Sequence, residues 1–133
     1  MALLQFSNIG IVAIQAAVPA QKIISKEQTQ YFDSETIEEI VQKTGIEERR
    51  FAPEGMCASD LCYAAADKLL NDLQVNRGEI DVLIFISQTP DYRMPATSII
   101  LQHRLGLPKT TAAFDISLGC SAFVYGLSVV YSL

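Results

Sequence analysis

Residues 115–127 read DISLGCSAFVYGL. A short apolar strand pattern runs into this stretch and breaks at Gly119. A charge-free helical pattern starts directly after it, and Cys120 stands at the junction. A thiol placed there lies at a helix N-terminus, where the peptide dipoles favour an anion. The thiolate is the nucleophilic form of cysteine, so the junction marks Cys120 as a candidate nucleophile. The plain alternative is a buried, inert cysteine, since unpaired cysteine is among the most buried residue types.

The helix after the junction, Ser121 to Leu133, is apolar at Ala122, Phe123, Val124, Tyr125, Leu127, Val129, Val130, Tyr131 and Leu133. These side chains point in every direction, so the helix needs cover on all sides. A chain of 133 residues has few other elements to wrap it. The reading expects a second layer of protein, from more chain or from another subunit. From Ile116 to Leu133 there is no charge, just enough length to suggest a membrane span. Ser117, Gly119, Cys120, Ser121, Gly126, Ser128 and Ser132 interrupt it, and its start reads as a strand end. A helix buried within protein, with no membrane partner, fits better.

Upstream, Ala112 to Ser117 reads as a strand. VLIFISQ, Val82 to Gln88, is a continuous apolar run that suits a strand covered on both faces, hence a parallel sheet. Between them Pro95 opens a helix closed by Gly106 and Pro108. Ser59 reads as the N-cap of a helix to about Leu73, with Leu61, Ala65, Leu69 and Leu73 as its apolar stripe. Asn8 to Val18 reads as a strand ended by Pro19. Ser25 reads as the cap of a short helix from Lys26 to Tyr31. Asp33 or Ser34 caps another, Glu35 to Thr44, with Gly45 at its C-terminus. GIEERRFA follows as an irregular or short extended segment. The order strand, helices, strand, helix, strand, helix implies a layered α/β architecture.

Half of the residues are hydrophobic, and 10 Lys and Arg against 15 Asp and Glu give a net charge of −5. No basic run is present, which argues against a nucleic-acid partner. The three cysteines, Cys57, Cys62 and Cys120, match no zinc spacing and suit a reducing cytoplasm. The apolar N-terminus lacks a basic region and reads as strand rather than signal peptide. Cys57 and Cys62 read as packing near a helix start. His103, the one histidine, lies in TSIILQHRL beside Arg104 and reads as a surface or cap-proximal residue, not a partner of Cys120. Asp115 reads as a structural hydrogen-bonding group rather than a general base. Arg49 and Arg50, beside Glu47 and Glu48, read as a solvated or locally paired face.

Three ordered segments, TGIEERRFA (44–52), VLIFISQTPDYRMPATSIILQHRLGL (82–107) and AFDISLGCSAFVYGL (113–127), resemble the first half of β-ketoacyl-acyl-carrier-protein synthase III. That family initiates type II fatty acid synthesis and has the thiolase fold. The resemblance extends from about Asn8 to Leu133. It implies an α/β, thiolase-like fold, the first half of a five-layer αβαβα architecture, with residues 1–133 as an N-terminal half-domain. It implies a cytoplasmic homodimer with no permanently bound cofactor. It implies acyl-CoA and malonyl-acyl-carrier protein as substrates. Cys120 would accept the acyl group, with its backbone N–H on the thioester oxyanion. A histidine and an asparagine would come from the second half. Met94 matches a position that reaches across the dimer to shape the partner's acyl pocket. Lys43 matches a basic position near the CoA nucleotide. Glu39 stands where the family often has a tryptophan stacked on adenine, and Ala122 stands where it usually has glycine. A carrier-borne primer, a related thiolase-fold synthase of a specialised pathway, and a non-catalytic ketosynthase partner subunit are the alternatives.

Overall fold

The apolar run from Val82 forms strand β3, Val82–Ile86, and the run into the cysteine junction forms β4, Ala112–Ile116. In the computed structural model, which describes residues 3–133, the two pair in parallel from Val82↔Ala112 to Ile86↔Ile116. Helix α3, Thr97–Arg104, connects them and packs on both. Strand residues alternate between faces. Leu83 joins the cluster built on Leu70, Leu105 and Leu107, and Asp115, paired in register with Phe85, reaches the start of α3. Ile86 instead meets Gly126 of helix α4, Ala122–Ser132. The pair of strands therefore lies between α3 on one face and α4 on the other, as the unbroken apolar run implied.

Helix α2, Ala58–Asp72, packs on α3. Its inner face carries Tyr63, Ala66 and Leu70, not the stripe expected at Leu61, Ala65, Leu69 and Leu73. Leu73 is exposed and lies beyond the helix. A repeat of every four residues drifts around a helix of 3.6 residues per turn, so it does not mark one face. Ser59 is buried inside α2 instead of capping it, and its N–H donates to Asp91 Oδ1.

By its internal contacts the chain forms two compact units, residues 18–57 and residues 3–17 with 58–133. Residues 18–57 hold a short antiparallel pair, β1 (Lys22–Ile24) and β2 (Glu48–Arg50), and helix α1 (Ser34–Thr44). Asp33 caps α1, accepting the Thr36 N–H at 2.8 Å, and Gly45 ends it with φ 68°. The helix expected over Lys26–Tyr31 is only a 3-10 turn, Ser25–Glu27. Ser25 is buried inside that turn, with Ile24 in the cap position, and donates its hydroxyl to the Ile46 carbonyl. Arg50 donates to the Pro19 and Ala20 carbonyls, and Glu48 pairs with Lys22 rather than with either arginine.

The strand expected over Asn8–Val18 is absent. Asn8 adopts φ 62°, outside the extended region, and neither two-stranded sheet receives the segment. A strand forms only where a ladder satisfies its backbone groups, however β-prone its residues.

The Thr36 N–H and hydroxyl bonds hold the Asp33 carboxyl below its ordinary value of 3.8. A lowered carboxylate pKa stabilises the fold above its unfolded value and ceases to as pH falls through the folded one. Asp33→Asn should therefore flatten the loss of α1 helicity below about pH 4, followed by circular dichroism. An unchanged acid transition would contradict this role.

Gly126 lets α4 approach β3. A Cβ there would fall 2.4 Å from Ile86 Cδ1 and 3.6 Å from Cγ1. Overpacking costs about 1–3 kcal/mol, against about 1 kcal/mol gained by replacing glycine in a helix. Gly126→Ala should thus destabilise by about 1 kcal/mol in urea unfolding. A variant as stable as the parent would show that Ile86 yields freely.

Candidate functional site

β3 and β4 are parallel and in register, so the segments leaving them emerge at one edge of the sheet. Gln88 follows β3 there, and Cys120 follows β4. Both line an open hollow of about 410 Å³ with Ile86, Leu118, Gly119, Ala122 and Phe123. Pockets at the carboxyl ends of parallel strands are the usual ligand positions in α/β sheets. Cys120 is exposed among the described residues.

Cys120 lies one residue before Ser121, the N-cap of α4. Ser121 has φ −85° and ψ −5° and provides no side-chain cap, while the Ala122 N–H donates to the Gly119 carbonyl at 2.9 Å. The Cys120 and Ser121 N–H groups donate to no described residue. Exposed N–H groups at a helix start favour negative charge. No acidic or basic side chain lines the hollow. A proton acceptor for the thiol must therefore come from beyond its walls. His103 is not that group: it is exposed in the last turn of α3.

The other sequence candidates lie elsewhere. Met94 precedes α3, is 89 % exposed, and does not line the Cys120 hollow. Lys43 sits on α1, where its ammonium contacts Glu39 one turn away at 2.8 Å. Exposed i,i+4 pairs are worth about 0.3–0.5 kcal/mol, so Glu39 partly neutralises Lys43 without locking it. Cys57 is exposed near the start of α2. Burial, then the nearby Asp91 carboxylate, raise the Cys62 thiol above its ordinary value of 9.0, although the residue as a whole is exposed. Asp115 does not line the hollow. Its two oxygens accept the Thr97 and Ser98 N–H groups, each at 2.8 Å, as a structural role requires.

Gln88 was not among the sequence candidates. The signal was available, since a polar residue ends the β3 run where a parallel partner ends in the cysteine junction.

No protein-family model matches the chain. β-Ketoacyl-[acyl-carrier-protein] synthase III 1 of Halalkalibacterium halodurans is 40% identical over 119 residues, 90% of this chain and 38% of that protein. The chain is homologous to β-ketoacyl-[acyl-carrier-protein] synthase III. It spans a little over a third of the length of the curated synthase III relatives it matches, less than the half expected. The solved 3-oxoacyl-(acyl-carrier protein) synthase of Burkholderia xenovorans superposes with TM-score 0.85 at 38% identity, over 90% of this chain and 35% of that one. OleA of Xanthomonas campestris superposes with TM-score 0.84 at 28% identity, over 96% and 39%. The fold is thus thiolase-like, as the synthase III resemblance implied. Among the described residues, no helix is long and apolar enough to cross a membrane.

Proposed function

We propose that this chain carries the nucleophile-bearing, N-terminal part of a synthase III-type condensing enzyme of fatty acid synthesis. The observation that carries the reading is Cys120, exposed between a parallel strand and a helix start in the 410 Å³ hollow. The synthase III homology supports the same chemistry. In this reading the Cys120 thiolate attacks the carbonyl of an acyl-CoA. An acyl–sulfur bond forms, and the CoA thiolate leaves and takes up a proton. Malonyl carried on acyl carrier protein then loses carbon dioxide. The resulting carbanion attacks the acyl-Cys120 carbonyl, which releases Cys120 and a β-ketoacyl carrier. The unoccupied Cys120 and Ser121 N–H groups are suited to the oxyanion that builds up at each attack.

The histidine and asparagine of decarboxylation come from outside these residues, so the 133-residue chain alone does not turn over. The uncovered apolar surface of α4, with Phe123 and Tyr125 each 59 % exposed and Val124 69 % exposed, is where the remaining protein packs. Met94 serves the acyl pocket of a dimer partner, and Lys43 attracts phosphate of the CoA nucleotide or a carrier arm. The enzyme is cytoplasmic and needs no resident cofactor. Incubation of the purified protein with acyl-CoA donors, followed by peptide mass spectrometry, tests the reading. An acyl adduct on Cys120 is the expected result. A clean Cys120 peptide from folded protein, with every acyl-CoA and acyl-carrier donor, would overturn it.

A second reading is a thiolase-fold synthase of a specialised pathway, since Glu39 stands where synthase III often has a tryptophan. The two separate on the acceptor. In the complete enzyme, acylated Cys120 that condenses with malonyl-carrier favours the first, and failure with malonyl-carrier but turnover with another acyl donor favours the second.

A further inference from the structure

The Cys120 hollow contains just one hydrogen-bonding side chain besides the thiol, that of Gln88. Its other walls, Ile86, Leu118, Gly119, Ala122 and Phe123, offer hydrocarbon and backbone. The Gln88 amide rests against Gly119, the residue before the cysteine. A Cβ added at Gly119 would fall 2.7 Å from Gln88 Nε2 but 3.8 Å from Oε1, so the nitrogen is the nearer end. Gly119 is therefore the residue that admits the amide. Gln88 makes no hydrogen bond with any described residue, although its amide has two N–H donors to give.

A thioester carbonyl can only accept hydrogen bonds, and its demand rises as attack turns the oxygen into an anion. We infer that Gln88 is a substrate-binding residue for the acyl thioester, donating Nε2–H to the carbonyl oxygen of the group bound at Cys120. The inference rests on the acyl-transfer reading above and deepens it. It adds a side-chain donor to the backbone N–H groups. It also explains why an exposed glutamine is held against a glycine beside the thiol.

The test compares two reactions of one thiol. Acylation by an acyl-CoA builds an oxyanion, whereas alkylation by iodoacetamide displaces iodide at a saturated carbon and builds none. In Gln88→Leu the rate of Cys120 acylation should fall about 100-fold, and alkylation should stay within about twofold. Gly119→Ala, which displaces the amide without removing it, should lower acylation in the same selective way. Equal rates in parent and variants would overturn the role. So would a parallel fall in both reactions, which would mean that Gln88 shapes the turn or the thiol. A parent whose Cys120 takes iodoacetamide but no acyl group from any thioester would remove the acyl-transfer reading itself, and this role with it.

Discussion

Replacing Cys120 by alanine should eliminate the acyl adduct and, in the complete enzyme, lower condensation by about 10⁴-fold or more. The size follows from the chemistry. Covalent catalysis divides the reaction at the acyl-enzyme, and no other wall of the hollow has an atom that can carry the acyl group. Two further cysteines in the same chain act as internal controls. Burial and the Asp91 carboxylate push the Cys62 thiol up, which makes it a weaker competitor for an acyl donor. Cys57 is exposed and does not line the hollow. Digestion and mass spectrometry of the parent and of Cys120→Ala, each given the same acyl-CoA, check the expectation. An adduct of parental yield on Cys57 or Cys62 in the variant would remove Cys120 from the mechanism.

The second large effect is on stability. Helix α3 begins at Thr97 after Ala96, whose φ −57° and ψ 142° suit an N-cap but whose methyl cannot accept a hydrogen bond. The acceptor is Asp115, on β4, which takes the Thr97 and Ser98 N–H groups with its two oxygens. Both residues are fully buried, so no solvent can substitute for the carboxylate. Hydrogen bonds to a charged group contribute about 1.5–3 kcal/mol each, and an orphaned buried N–H costs a similar amount. Asp115→Ala should thus destabilise the fold by about 3 kcal/mol in urea unfolding. Adding Ala96→Asp should return about 1 kcal/mol by capping the helix locally. A loss under about 1 kcal/mol in Asp115→Ala would show that the helix start rearranges to find other acceptors.

The sequence disclosed those features whose cause is local. Strand β3 was legible because a continuous apolar run of β-branched and aromatic residues has few other destinations, and β4 because a short, mostly apolar pattern breaks at Gly119. Helix α1 was legible because Asp33 and Gly45 mark its ends. Cys120 was legible because Gly119 breaks one pattern directly before another begins. Features whose cause is distant were hidden. The Asn8–Val18 segment has strand composition, but no partner strand among the described residues completes a ladder. Ser25 and Ser59 look like caps, yet one donates to a carbonyl in another segment and the other is drawn inside its helix by Asp91. The site divides in the same way. The cysteine is visible from its neighbours in sequence, whereas Gln88 becomes its neighbour only once two strands are laid side by side in register.

The cap that β4 lends to α3 also bears on the order in which the chain gains structure. An isolated helix shorter than about 12 residues is marginal in water, and α3 has 8. Its cap lies 18 residues downstream of Thr97, so during synthesis α3 has no stable existence until β4 has emerged. The two elements become ordered in one cooperative step. Because Cys120 follows β4 directly, the nucleophile is set in place by the event that closes this part of the fold.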